Sequence, residues 1–184
     1  MILWTIQTVE ALYCFERKGR LEADWRRVER GWRPAFRWMA EQMTLRLGIR
    51  QSRPPVWAWH SYLGARKRRP DLRSSGHLPR GATGVRIEFD APEGLVLLSD
   101  FDMWHCALNN WYLALSDSED RRVEALKQKD KLPQQMIVRS WERMFALGCG
   151  STKEWGRRSD RVIQACVPRV EAGWVRRVDR FTAR

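Results

Sequence analysis

Asp102, His105 and Asn109 stand three and four residues apart in the stretch LVLLSDFDMWHCALNNWY, residues 95–112. That spacing brings all three to one face of a helix. A carboxylate beside an imidazole can work as an acid/base pair, with Asp102 orienting His105, and the Asn109 amide could hold a ligand. The same positions also have a structural reading. Ser99 followed three residues later by Asp102 resembles a capping box with Asp in place of Glu, and His105 borders Phe101, Leu108 and Tyr112. Trp104 and Trp111 surround these polar groups with aromatic surface, so each group must be partnered if buried or in use if exposed. Asp100 has no role in either reading.

A second candidate is His60 within WAWHSY, residues 57–62. In a strand, Trp57, Trp59 and Ser61 share one face, and Ala58, His60 and Tyr62 share the other. Such a strand can stack a base or a nicotinamide ring, or it can pack a core. The third candidate is the cation series Arg66, Lys67, Arg68, Arg69, Arg73 and Arg80, opposed only by Asp71. It is suited to phosphate contacts, which add salt-dependent affinity rather than sequence specificity; as a solvated loop it would need no ligand at all. His60, His77, His105 and Cys106 lack ligand spacing, and His105 and Cys106 point apart on a helix, so no metal is expected. No GxGxxG, Walker or GxSxG pattern occurs.

The elements that must position these groups read as follows. Ile2–Gln7 forms a short strand, and Thr8 caps a helix VEALYCFERK that Gly19 stops. Arg33-Pro34 opens a second helix with an apolar stripe of Trp32, Phe36, Met39, Met43 and Leu47, closed by Gly48. Val56–Leu63 is a strand, and residues 64–84, rich in Gly, Pro and Ser, form a loop. Such a length is often functional or disordered. Val85–Asp90 alternates with Val85, Ile87 and Phe89 inward, and Leu95–Leu98 is expected to pair antiparallel with it. A helix follows, with Phe101, Trp104, Leu108, Trp111 and Leu115 on one face. Ser116 and Glu119 signal a charged, peripheral helix over 118–130. Pro133 opens a helix burying Ile137, Trp141, Met144 and Phe145, ended by Gly148-Cys149-Gly150. Arg161–Val167 and Trp174–Phe181 are closing strands. Strands and helices mix without a βαβ rhythm, so the expectation is a single α+β domain over 1–184, with a strongly twisted, mostly antiparallel sheet flanked by helices.

Composition narrows the function classes. The chain has 34 basic against 22 acidic residues, a net charge of +12; six of the basic residues are lysine and 28 arginine. Arginine favours planar, bidentate contacts to phosphate or carboxylate and stacks on aromatics. With eleven tryptophans, such a surface suits nucleic acid or an acidic partner; a GC-rich genome would also enrich arginine without any binding role. A 43% hydrophobic fraction argues for a folded domain with a sizeable core rather than disorder. Cys14, Cys106, Cys149 and Cys166 form no CxxC pair, so reduced thiols and a cytoplasmic location are expected. No basic-then-apolar leader is read, and no apolar run approaches the roughly 20 residues of a membrane span.

Several segments together resemble a known family: ILWTIQ, VWAWHSY with RRPDLR, LLSDFDMWHCALNNWYL, SWERMFAL and the terminal VIQACVPRV with VRRVDRF. They are similar to the bacterial domain-of-unknown-function family 3841 across almost the whole chain. That resemblance implies a fold and no activity. The chain departs from the family at Cys166-Val167-Pro168-Arg169, where the family tends to carry aromatics and an acidic residue. A fainter resemblance is to ADP-ribosyltransferase-like domains, through ILWTIQ followed by a helix ending ERKG. It implies an NAD site, but the His of that pattern falls at Thr5, and its late Glu-bearing strand has only Gln164 or Glu171 to offer.

Three functions follow as expectations. The leading one is a basic binding module for nucleic acid or a nucleoprotein complex, regulatory or inhibitory in a bacterium–phage setting, with no cofactor. The loop cations supply its phosphate contacts, and Trp57, Trp59 or His60 its stacking, with Tyr62, Trp104 and Asn109 as further pocket candidates. The second is an NAD-using, ADP-ribosyltransferase-like enzyme with Gln7, His60, Tyr62, His105 and Gln164 around its pocket and Asp102 as a further catalytic candidate. The third is a protein-interaction domain whose Trp-rich face docks an acidic partner.

Overall fold

The computed structural model describes residues 1–147, 155 and 160–184. β1 (Ile2–Thr8) ends on the residue that starts α1 (Val9–Lys18). The Thr8 hydroxyl accepts from the Ala11 amide, and Gly19 closes the helix at φ 68°, a left-handed conformation that a side chain resists. α2 (Arg33–Leu47) has Pro34 in its first turn and ends at Gly48, also left-handed. The remaining elements are β2 (Arg20–Leu21), β3 (Val56–Ser61), β4 (Thr83–Asp90), β5 (Leu97–Asp100), α3 (Phe101–Leu108), α4 (Asp117–Gln128), α5 (Gln134–Ser140), β6 (Ile163–Val167), β7 (Val170–Glu171) and β8 (Val175–Thr182).

Six strands form one sheet in the order β5-β6-β3-β1-β4-β8, with every pairing antiparallel; β2 and β7 form a small separate ribbon. The architecture is α+β in a single domain. Strand alternation divides the side chains between two cores. Leu3, Val56, Ala58, Ile87, Phe89 and Val167 face α1, which covers them with Leu12 and Phe15. The other face meets α2, α3 and the 3-10 turn Trp141–Phe145, where Trp57, Leu97 and Cys166 pack with Met39, Met43, Trp104, Trp141 and Met144. Burying one such side chain is worth about 1.5–3 kcal/mol, and a one-residue slip would exchange the two sets. Register is therefore set from both sides.

The central pairing is unequal. β1 runs in register with β4 from Ile2↔Asp90 to Thr8↔Gly84, yet it meets β3 only at Trp4↔Trp59. Beyond that pair the strands part. A side chain takes over from the ladder: Thr5 Oγ1 donates to the Trp57 carbonyl at 2.8 Å and accepts from Gln7 Nε2.

Five expectations need correction, the first being the helical face drawn to Leu115: α3 stops at Leu108, and Trp111 beyond it is 60% exposed. Leu95–Leu98 does not pair with β4; Glu93–Leu95 is a 3-10 turn, and β5 starts at Leu97 and lies against β6 at the far edge. The α3 cap is Asp100 rather than Ser99, its carboxylate accepting from the Asp102 and Met103 amides. Ser99 stays in the sheet and accepts from Gln164 Nε2 at 3.1 Å. The strict alternation assigned to β3 breaks at a bulge between Trp59 and Ser61, which brings Tyr62 against Trp59, ring centroids 5.1 Å apart, instead of leaving it on the opposite face. Trp32 lies in the turn before α2 and is 44% exposed, so it does not join that helix's buried stripe. The stop at Gly148-Cys149-Gly150 lies outside the described residues. α4 is peripheral, with Val123 its one buried side chain.

Candidate functional site

Where β1 and β3 part, a cleft of about 660 Å³ opens between them. Its lining mixes the strands with α2 and α3: Ile6 and Gln7 from β1, Trp57 and Trp59 from β3, Gln164 from β6, Phe36, Phe101 and Trp104 from the helices. The aromatic rings brace one another. Trp57 sits 4.8 Å from Trp104 and edge-on to Phe36 at 5.6 Å; Trp59 packs edge-on to Phe101 at 4.9 Å. Edge-to-face contacts of this kind fix ring orientation as well as bury area. The Trp57 indole N–H is buried and has no hydrogen-bond partner among the described residues, an arrangement that costs free energy. The mouth is more polar. Glu22, Asp24, Glu29, Arg27 and Trp32 line it, and Arg26 holds the Asp24 carboxyl down to about 2 through hydrogen bonds.

The segment between β3 and β4 is a folded loop. Tyr62 N–H donates to the Arg68 carbonyl and Leu63 N–H to that of Lys67. The bulge frees the His60 carbonyl, which accepts from Arg68 Nε at 3.1 Å. Arg73 is bidentate on Asp71 and holds that carboxyl well below its usual range, its side-chain hydrogen bond contributing most. His77 Nε2 donates to the Asp71 carbonyl at 2.8 Å, and its ring lies 5.4 Å from Tyr62 and 6.0 Å from Phe181. The loop thereby brings Gly76 and His77 to the cleft, while Arg66, Lys67, Arg68, Arg69, Asp71 and Arg73 line a second cavity of about 560 Å³ with Arg86 of β4.

The sequence candidates are therefore partly gathered and partly dispersed. Trp57, Trp59, Trp104 and Gln164, with Gln7 of the enzyme reading, line the cleft. His60, Tyr62, His105, Asp102 and Asn109 do not. His105 is exposed, its Nδ1–H donating to the Phe101 carbonyl, and the Asn109 side-chain amide donates to the carbonyl of His105. Among the described residues no hydrogen bond joins Asp102 to His105; the His105 Nδ1–H is taken by the Phe101 carbonyl, and the Asp102 amide donates to the Asp100 cap. His60 is half-buried against Ser61, and burial, then Arg68, lowers its pKa. Of the loop cations, Arg68 and Arg73 have protein partners and Arg80 lines neither cavity; Arg66, Lys67 and Arg69 form no ion pair among the described residues. Among those residues no three His, Cys, Asp or Glu side chains are grouped to hold a metal, and no helix is long and apolar enough to cross a membrane.

Two contributors escaped the sequence. Phe36 was legible only as part of a helix stripe. Arg86, between the inward Val85 and Ile87, is 5% exposed, since the loop covers that face of the sheet as well.

Comparison with known proteins bears on the family alone. Residues 2–175 match the family model described as Domain of unknown function (DUF3841). No curated protein and no solved structure matches the chain, and the likeness to ADP-ribosyltransferase-like domains finds no support in these comparisons.

Proposed function

The chain belongs to the DUF3841 family, and on that footing we propose that it binds single-stranded nucleic acid, an unstacked base entering the aromatic cleft and the adjoining phosphates meeting the loop cations. One observation carries the reading: a single hydrogen bond, His77 to Asp71 at 2.8 Å, links the lining of the aromatic cleft to the lining of the basic cavity. Stacking surface and cationic surface thus sit on one loop. Bases in single strands offer π-faces to aromatic side chains and hydrogen-bonding edges to groups such as Gln7, Gln164 and the Trp57 N–H. Duplexed bases cannot enter a cleft of this kind, so single strands are favoured over duplexes.

Fluorescence anisotropy with a labelled single strand tests this. Retention at low salt should fall with log[salt] at a slope of about −2 if Arg66, Lys67 and Arg69 each neutralise one phosphate. R66A/R69A should reduce that slope to about −0.7. No retention at low salt overturns the reading, and equal affinity for poly-glutamate transfers it to an acidic protein partner. Thermal stabilisation by NAD with nicotinamide release, and no retained strand, moves it to the NAD-using enzyme, to which Gln7 and Gln164 alone of its pocket candidates would still contribute.

A further inference from the structure

The second cavity differs in character from a backbone-tracking groove. Its back wall is Arg86, whose side chain is 6% exposed. Arg86 Nη2 donates to Asp179 at 2.6 Å and Nη1 to the Pro70 carbonyl, which fastens the loop over the sheet. Its Nε–H is buried and has no partner among the described residues. Guanidinium donors at such depth are ordinarily satisfied, whereas this one lies unpartnered in a residue that lines the cavity. The charge around it is equally unbalanced. Asp71 is taken by Arg73, and Asp179 is shared by Arg86 and Arg177. Arg66, Lys67, Arg68 and Arg69 line the same space, and its one lining carboxylate among the described residues, Asp71, is paired with Arg73.

We propose that this cavity, backed by Arg86 and rimmed by Arg66, Lys67 and Arg69, is a site for a terminal phosphate monoester. A monoester has three free acceptor oxygens and a charge approaching −2 near neutral pH, by the same chemistry as a phosphorylated side chain. A diester in mid-strand has two free oxygens, one charge, and chain on both sides. Donors that converge from a buried wall and a surrounding rim match the first. This inference rests on the strand-binding reading for its usual source, a phosphorylated strand end; a free nucleotide carries the same group.

The test compares three forms of one oligonucleotide on the full chain: 5′-phosphorylated, 3′-phosphorylated and hydroxyl-ended. One phosphorylated end should bind about tenfold more tightly than the hydroxyl-ended strand, the size of a single charge-assisted hydrogen bond. Inorganic phosphate should compete away that advantage, and R66A/R69A should abolish it. R86K should abolish it too; should R86K not fold, the surface pair still decides. Equal affinity for all three forms overturns the monoester site and leaves strand binding standing. Thermal stabilisation by a nucleoside monophosphate, without retention of any strand, overturns strand binding and keeps the cavity as a free-nucleotide site. Absence of both responses overturns the two together.

Discussion

At the residue scale, Glu119 ties together more of the molecule than its surface helix suggests. One carboxylate oxygen accepts from Tyr112 at 2.7 Å and Arg143 at 2.8 Å, and the other from the Leu115 amide at 2.9 Å. Burial alone would raise this carboxyl; the hydrogen bonds, led by that from Arg143, outweigh burial and bring it from 4.5 to about 2. A depressed carboxyl stabilises the fold fully above its unfolded value and loses that contribution as pH falls toward the folded one. Stability should therefore decline between 4.5 and about 2. Glu119→Gln should cost about 1.5–3 kcal/mol near neutral pH and flatten that acid-side decline, as urea midpoints measured across pH will show; an unchanged profile would refute the assignment. The sequence showed the Ser116–Glu119 pair as a cap, and Ser116 does cap α4. It did not show where the Glu119 side chain goes, because Arg143 lies 24 residues away. Asp100 makes the same point at the start of α3. The residue that neither reading explained is the cap of α3 and the buried partner of Arg161 at 3.7 Å, and burial, the largest influence on it, raises its carboxyl.

At the element scale, what local chemistry decides was readable. α1 begins at Thr8 and ends at Gly19 because a hydroxyl and a left-handed glycine act within a few residues of themselves. What long-range pairing decides was not. β4 and β5 adjoin in sequence and stand four strands apart in the sheet, and the bulge at His60 has no signature in WAWHSY. Gly84 shows how the basic loop is seated. A Cβ there would come within 2.4 Å of Leu78 and 2.8 Å of the Phe181 ring. Gly84→Ala should therefore lift Leu78, part of the loop, from the sheet and cost about 1–3 kcal/mol through overpacking. The variant's loop should be cleaved faster in limited proteolysis, while wild-type resistance in the variant would show that the loop is held elsewhere.

At the scale of the whole molecule, composition pointed to a polyanion, yet no composition could separate an aromatic cleft from an aromatic core. Trp57 and Trp104 belong to both. The lone Trp4↔Trp59 junction has a further meaning for how the molecule breathes. β4 is paired along its length on both sides, with β1 and with β8, whereas the β3 amides aimed at the cleft lack a ladder beyond one residue pair. The amide protons of Val85–Phe89 should then exchange with solvent only through global unfolding, and those along the seam through small local openings with little sensitivity to denaturant. Hydrogen exchange read by NMR separates the two classes; uniform protection across β3 and β4 would count against the split. A ligand seated in the cleft touches strands on both banks of that seam, so its arrival should register as slowed exchange there, before any readout of what the protein does with it.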